Sequence, residues 1–292
     1  MARNAFDIEA LLETACDQVV QDRFIARVHR NGVMSILYEH DIDAVGALAT
    51  SLSDKDIDHL LSQRARAARS LNALSLCIHS AVMSQAGFDP GTTLVSAQNL
   101  LLLKYVDPDK LISATGSSAL ASAELVQDPV RDRVIPEVAL QLALSTFDSV
   151  ASAGATAVDL VALLNESLCA YKQYNLAVSV VMAWSVCERL LKAPRPNPDA
   201  LPPAETELGG ETARRHIPQS ASKIIGQLHA SGVLDVELYG ELERARVARN
   251  DWVHGEESPS RSKARTCILA ALAVFQLIHG LTLPVSTDLT VV

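Results

Sequence analysis

A chain of 292 residues with a formal net charge of −9 has room for one large domain or two ordinary ones. It is too acidic for a general nucleic-acid coat protein, so any RNA or DNA contact must be local and small. Hydrophobic residues make up 49% of it and aromatics only 4%, which calls for an aliphatic core and, with few Gly and Pro, favours helix. Five cysteines (Cys16, Cys77, Cys169, Cys187, Cys267) without a C-x-x-C pair argue against a disulfide framework or zinc site and read as buried reduced thiols.

Along the chain, Phe6, Ile8, Leu11, Leu12, Ala15, Val19 and Val20 predict a helix over 6–22, and a second is expected in the thirties. Ser53 is the expected N-cap of a long helix running to Ala86, with Leu60, Leu61, Ala68, Leu71, Leu74, Ile78 and Val82 on its apolar side. Asp89-Pro90-Gly91 marks a turn, and shorter helices are expected over 94–105 and 107–114. Val130–Val150 is a further helical stretch in which Pro136 must kink the helix or mark its start. The small residues 151–156 suggest a boundary between a helical region over 1–150 and a second domain over 151–292.

In the second region, helices are expected over 158–168 and 171–191, the latter with Leu176, Val180, Trp184, Cys187 and Leu191 in one stripe. A proline-rich loop over 194–211 follows, then helices over 220–228, 236–252 and 263–280, with Gly255 as a C-terminal stop. No stretch alternates strictly, so the fold class is all-α. The most apolar windows, 176–184 and 268–278, are too short to span a bilayer, and the first residues lack a long apolar run; the expectation is a cytoplasmic protein without a membrane segment.

The chemistry concentrates in Arg249-Asn250-Asp251-Trp252-Val253-His254-Gly255. A permanent cation, an amide and a titratable imidazole within one turn are the groups that hold a phosphodiester and move a proton at it. Arg23 and His29 have nearly the same spacing but no chemical surroundings. An upstream helix carries one acid, Glu188, on an otherwise apolar face, where a carboxylate calls for a partner such as Arg249 or Arg246. The bland reading stays open: an arginine near a helix C-terminus complements the dipole, and a histidine before a C-terminal glycine bonds the last carbonyls. Arg244, Arg246, Arg261, Lys263 and Arg265 form either a phosphate-guiding patch or a solvated face balanced by Glu241, Glu243, Glu256 and Glu257. His79 and His279 lie in apolar helices and read as core or surface histidines. No metal-ligand spacing appears and no cofactor is expected.

Two blocks, Asn175–Leu191 and Arg246–Gly255, resemble the HEPN superfamily (higher eukaryotes and prokaryotes nucleotide-binding domain), over about residues 155–285. The resemblance implies a small antiparallel helical bundle that dimerises. In many members it implies a metal-independent ribonuclease of toxin–antitoxin or antiphage systems; others only bind. By position Arg249 and His254 match the family's arginine and histidine, Asn250 its polar residue after the arginine, and Glu188 an acid on the preceding helix. Arg246 and Lys263 are weaker substrate-binding candidates. One toxin subset carries a modifiable tyrosine two residues beyond the histidine; Glu256 stands there, so that control is not expected. The partners implied are RNA and a second copy of the C-terminal domain, with a protein partner for residues 1–150 as a further possibility. The alternative is a non-catalytic nucleotide-binding or protein-interaction module.

Five residues along an α-helix turn through about 500°, so the Arg249 and His254 side chains diverge by roughly 140°. They converge only if the helix breaks between them, where Asn250 and Asp251 are weak helix formers, or if two copies face each other.

Overall fold

The computed structural model describes residues 14–21, 24–29, 34–38, 54–96, 103–107, 110–113, 135–193, 220–255 and 258–287. The protein is mainly helical and forms two compact units, one of Met1–Asn165 with Leu283–Ser286, the other of Glu166–Thr282 with Thr287–Val292.

In the first unit, β1 (Thr14–Val20), β2 (Phe24–His29) and β3 (Met34–Tyr38) form an antiparallel sheet in that order. Val20 pairs with Phe24 across a turn in which Gln21 takes a φ of 51°. Val20, Ala26 and Val28 are buried, β1 lies against α2 (Glu137–Ser152), and the Phe24 ring sits 6.1 Å from that of Phe147. Gln21 fixes the turn to α2, its backbone N–H donating to Asp148 Oδ1 and its Nε2 to Ser152 Oγ.

These strands correct the helices expected over 6–22 and in the thirties; residues 6–13 lie outside the described set. Short apolar runs fit either period, and here strand pairing and the β-branched and aromatic residues Thr14, Val19, Val20, Phe24, Ile25 and Val28 decide it. The helices expected over 94–105 and 107–114 are corrected too. Residues 89–96 are extended, and β4 (Leu103–Asp107) and β5 (Lys110–Ser113) form an antiparallel hairpin with Tyr105 opposite Leu111.

α1 (Asp54–Ala86) is a single helix of 33 residues packed along α2; its expected cap, Ser53, is outside the described residues. Ala68, Leu71, Leu74 and Val82 are buried as the spacing predicts. A polar stripe on the same helix holds the extended segment. Asn72 mimics a peptide, accepting from the Val95 N–H at 2.8 Å and donating to its carbonyl at 2.9 Å. Ser75 donates to the Thr93 carbonyl, and His79 Nδ1 lies 2.9 Å from the Gly91 carbonyl. His79 Nε2 accepts from the Ser286 N–H at 3.1 Å, so this buried imidazole is a structural bridge. The expected turn forms, with Asp89 Oδ1 accepting from the Gly91 N–H. Pro136 is the N-cap of α2 and marks its start.

α3 (Ala155–Lys172) contributes its first part to one unit and its last part, from Glu166, to the other. It runs past the end expected at 168, and the helix expected over 171–191 starts only at Leu176: Tyr174 adopts a φ of 62°, and Asn175 caps the new helix, α4 (Leu176–Lys192). The second unit continues with α5 (Ala221–Ala230), α6 (Val236–Val253) and α7 (Arg261–His279), capped by Ser220, Asp235 and Ser260 through side-chain oxygens. Gly280, at φ 69°, terminates α7 in a left-handed turn that favours glycine. α4, α6 and α7 pack on one another through small buried residues, among them Ala183, Cys187, Ala245, Ala248, Ala264, Cys267 and Ala271. Small residues let the backbones approach closely: the Cys267 thiol reaches the Ala245 carbonyl across the α6–α7 contact at 3.7 Å. Burial pushes the Cys77 and Cys267 thiols up to about 12 and Cys187 higher still; none of the five cysteines is in a disulfide, and all but the half-buried Cys16 are buried as expected. The proline-rich stretch 194–211 lies outside the described residues. Among the described residues no helix is long and apolar enough to cross a membrane.

Candidate functional site

The candidate site is the C-terminal end of α6. Asp235 fixes the helix start by accepting from the Leu238 N–H at 2.8 Å, and Leu242, Ala245 and Ala248 bury one face. That leaves Arg249 half-buried beside the core face and the following residues progressively exposed. Arg249 Nη1 donates to Asn250 Oδ1 at 3.1 Å, which steadies the guanidinium and leaves its other N–H groups unused among the described residues. The amide therefore sits where it can orient the cation.

The helix does not break at Asn250 or Asp251. It continues to Val253, and His254 is the C-cap, with φ −86° and ψ 1°, its N–H bonding the Asn250 carbonyl at 2.9 Å. Gly255, at φ 75°, turns the chain away and bonds the Trp252 carbonyl. The His254 side chain is exposed and makes no hydrogen bond or ion pair among the described residues. Its imidazole is not spent on helix carbonyls. With the helix intact, Arg249 and His254 of one chain point in directions about 140° apart.

The structure separates the other candidates. Glu188 does not pair with Arg249 or Arg246; its carboxylate takes Lys192, one turn on, at 2.7 Å. A local partner at i+4 needs no particular helix–helix phase. Glu188, Ser185, Arg189 and Lys192 line a shallow depression on α4. Arg246 donates twice to Glu243 Oε2, at 2.8 and 3.0 Å. Arg261 donates to the buried Tyr171 hydroxyl at 2.9 Å while its guanidinium carbon lies 5.8 Å from that ring's centre. Tyr171 in turn donates to the Thr287 carbonyl, and Arg265 to the Thr287 hydroxyl. Lys263 pairs with Asp251 at 3.0 Å. Of the five cations offered as a phosphate patch, only Arg244 is exposed without a partner among the described residues. His279 is half-buried against the Phe275 ring, 4.6 Å between centres, which lowers its pKa by desolvation.

Sequence reasoning missed the groove between α6 and α7, lined by Glu243, Arg244, Val247, Ala248, Ser262, Lys263 and Thr266. Its α6 wall is Glu243, Arg244, Val247 and Ala248; beyond the groove, Asp251 and His254 continue the helical stripe of Arg244 and Val247, a spacing legible in the sequence. Exposed apolar side chains, Val247, Trp252 and Val253, surround the motif. Comparison with protein-family models, curated proteins and solved structures finds no match.

Proposed function

We propose that the protein is a metal-independent endoribonuclease of HEPN type that acts in the cytoplasm as a homodimer through its C-terminal unit. The observation that carries the reading is the end of α6. There an oriented guanidinium and an exposed imidazole without a partner among the described residues stand five residues apart, on different sides of an unbroken helix. One chain alone cannot bring both to one phosphate; two chains related by a two-fold axis can.

In such a site one His254 imidazole takes the proton from the RNA 2′-hydroxyl as that oxygen bonds to phosphorus. The P–O5′ bond breaks, and the leaving 5′-oxygen takes its proton from solvent while the protonated imidazole returns its own to solvent. The products are a 2′,3′-cyclic phosphate and a 5′-hydroxyl, and the imidazole is restored. Arg249 forks two donors onto the phosphorane oxygens, where charge builds in the transition state. Asn250 positions Arg249. Trp252 and Val253, exposed beside these groups, belong to the covered face of the dimer. The role in toxin–antitoxin or antiphage defence follows from the family resemblance.

Incubating the pure protein with RNA in EDTA tests the reading. Cleavage that is lost in His254→Ala is expected; no cleavage, or equal cleavage by that variant, refutes it. One observation favours a rival. The net charge is −9, and four of the five clustered cations are engaged within the chain. This suits a non-catalytic module whose residues 1–150 recognise a protein. Cleavage together with RNA binding that weakens with salt decides for the nuclease, binding without cleavage decides for a non-catalytic nucleotide-binding module, and absence of both decides for the protein-recognition rival.

A further inference from the structure

The groove between α6 and α7 has a volume of about 380 Å3, within the range of small-ligand clefts, and its chemistry is uneven. Its floor is apolar, with Ala248 buried and Val247 exposed, while Arg244, Ser262, Lys263 and Thr266 offer donors along its sides. The one acid among the lining residues, Glu243, has its charge held by two donors from Arg246. At the groove's end Asp251 holds Lys263 at 3.0 Å. The Arg244 guanidinium lies back over Gly240, where a Cβ would come within 3.5 Å of it, so it extends the groove away from the motif. His254 falls on the same helical stripe as Arg244, Val247 and Asp251, and Arg249 does not. Ten residues separate Arg244 from His254, roughly 15 Å along the axis. That length covers about four nucleotides at a stacked rise of 3.4 Å, and fewer when the strand is extended.

Resting on the ribonuclease reading, we propose that this groove is the track for the RNA strand flanking the scissile bond. Arg244 and Lys263 contact two of its phosphates, Ser262 and Thr266 supply hydroxyl donors, and Val247 presents an apolar surface to a base. Asp251 is the groove's built-in competitor, holding Lys263 until a phosphate displaces it. The substrate class is single-stranded RNA, whose backbone can follow a groove with cations along it and whose unpaired bases can meet its apolar floor.

The test is equilibrium binding of a short single-stranded RNA to the full-length protein across salt, for the wild type, Arg244→Ala, Asp251→Asn and the remote control Arg66→Ala. Arg244→Ala is expected to bind roughly tenfold more weakly at low salt. Losing one phosphate contact lowers the slope of log K against log salt by about 0.7, so its deficit shrinks roughly 2.6-fold between 50 and 200 mM. Asp251→Asn removes the carboxylate that pairs with Lys263 and is expected to tighten binding and steepen the slope. Arg66→Ala is expected to match the wild type. If the wild type binds and cleaves RNA but Arg244→Ala keeps its affinity and slope, the groove is overturned while the nuclease reading stands. An equal loss in Arg66→Ala also overturns the groove, since contact is then diffuse. A wild type that neither binds nor cleaves RNA overturns both.

Discussion

Mixing two inactive variants tests the composite site directly. Because α6 is continuous to Val253, Arg249 and His254 of one chain leave the helix in directions roughly 140° apart. The proposed dimer then has each site draw its arginine and its histidine from different chains. Arg249→Ala and His254→Ala alone should each lose about 10²–10⁴ in kcat, the range for removing a positioned acid–base group or an electrostatic clamp. Random pairing of equal amounts gives one-half heterodimers. In these, one site carries both lesions and the other carries neither. The mixture should therefore recover about one quarter of wild-type activity, one intact site in each of half the dimers. Refolding the two variants together, with different tags to count heterodimers, and following cleavage of a fluorescent RNA gives the measurement. Heterodimers that form but stay as inactive as either parent would refute the argument, because that result places both groups in one chain.

Asn250→Ala removes the acceptor that steadies Arg249 and should lower kcat roughly tenfold, while Asn250→Asp, which keeps an acceptor oxygen, loses less; equal losses would deny Asn250 a positioning role. Tyr171→Phe deletes the hydroxyl that joins Arg261 to the Thr287 carbonyl and should cost about 1–2 kcal/mol, read from the urea midpoint. His279 has its pKa lowered by burial below the usual 6.5, so the unfolded chain takes up a proton that the folded chain refuses. Stability should fall as pH drops below about 6.5, level off once the lowered value is passed, and lose this component in His279→Gln; identical pH profiles for the two proteins would contradict it.

The second unit was readable because its helices carry their own punctuation. Ser220 and Gly280 end or begin helices where the sequence places them, and Pro136 does the same in the first unit. The strands were not, since Val19 and Val20 belong to a helical spacing that pairing with β2 overrules. At the site, Arg249, Asn250 and His254 were found from residue type and spacing alone. The partner of Glu188 was not, because which helix faces meet is a tertiary matter and Lys192 was already one turn away. The helix expected over 236–252 forms, and the break that Asn250 and Asp251 made plausible does not occur for a specific reason. Such residues break helices when their side chains compete for the backbone, and here one is engaged by Arg249 and the other by Lys263.

The acidity of the chain and an RNA substrate are compatible once the cations are sorted. A protein that binds RNA through a broad basic field needs excess positive charge, which a net charge of −9 denies it. Here most of the basic side chains near the motif are neutralised by acids or fixed on neutral acceptors within the second unit, and those left are few and placed. On the proposed reading Arg249 would meet the reacting phosphate, while Arg244 and Lys263, the latter paired with Asp251, would meet phosphates of the flanking strand. Attraction at a distance is then weak, and binding energy arises only where a strand lies along the groove with its phosphates in register. On the proposed reading, a net negative chain with a short cationic track would work against non-specific RNA binding and favour contacts made at the scissile bond, where they would lower the barrier.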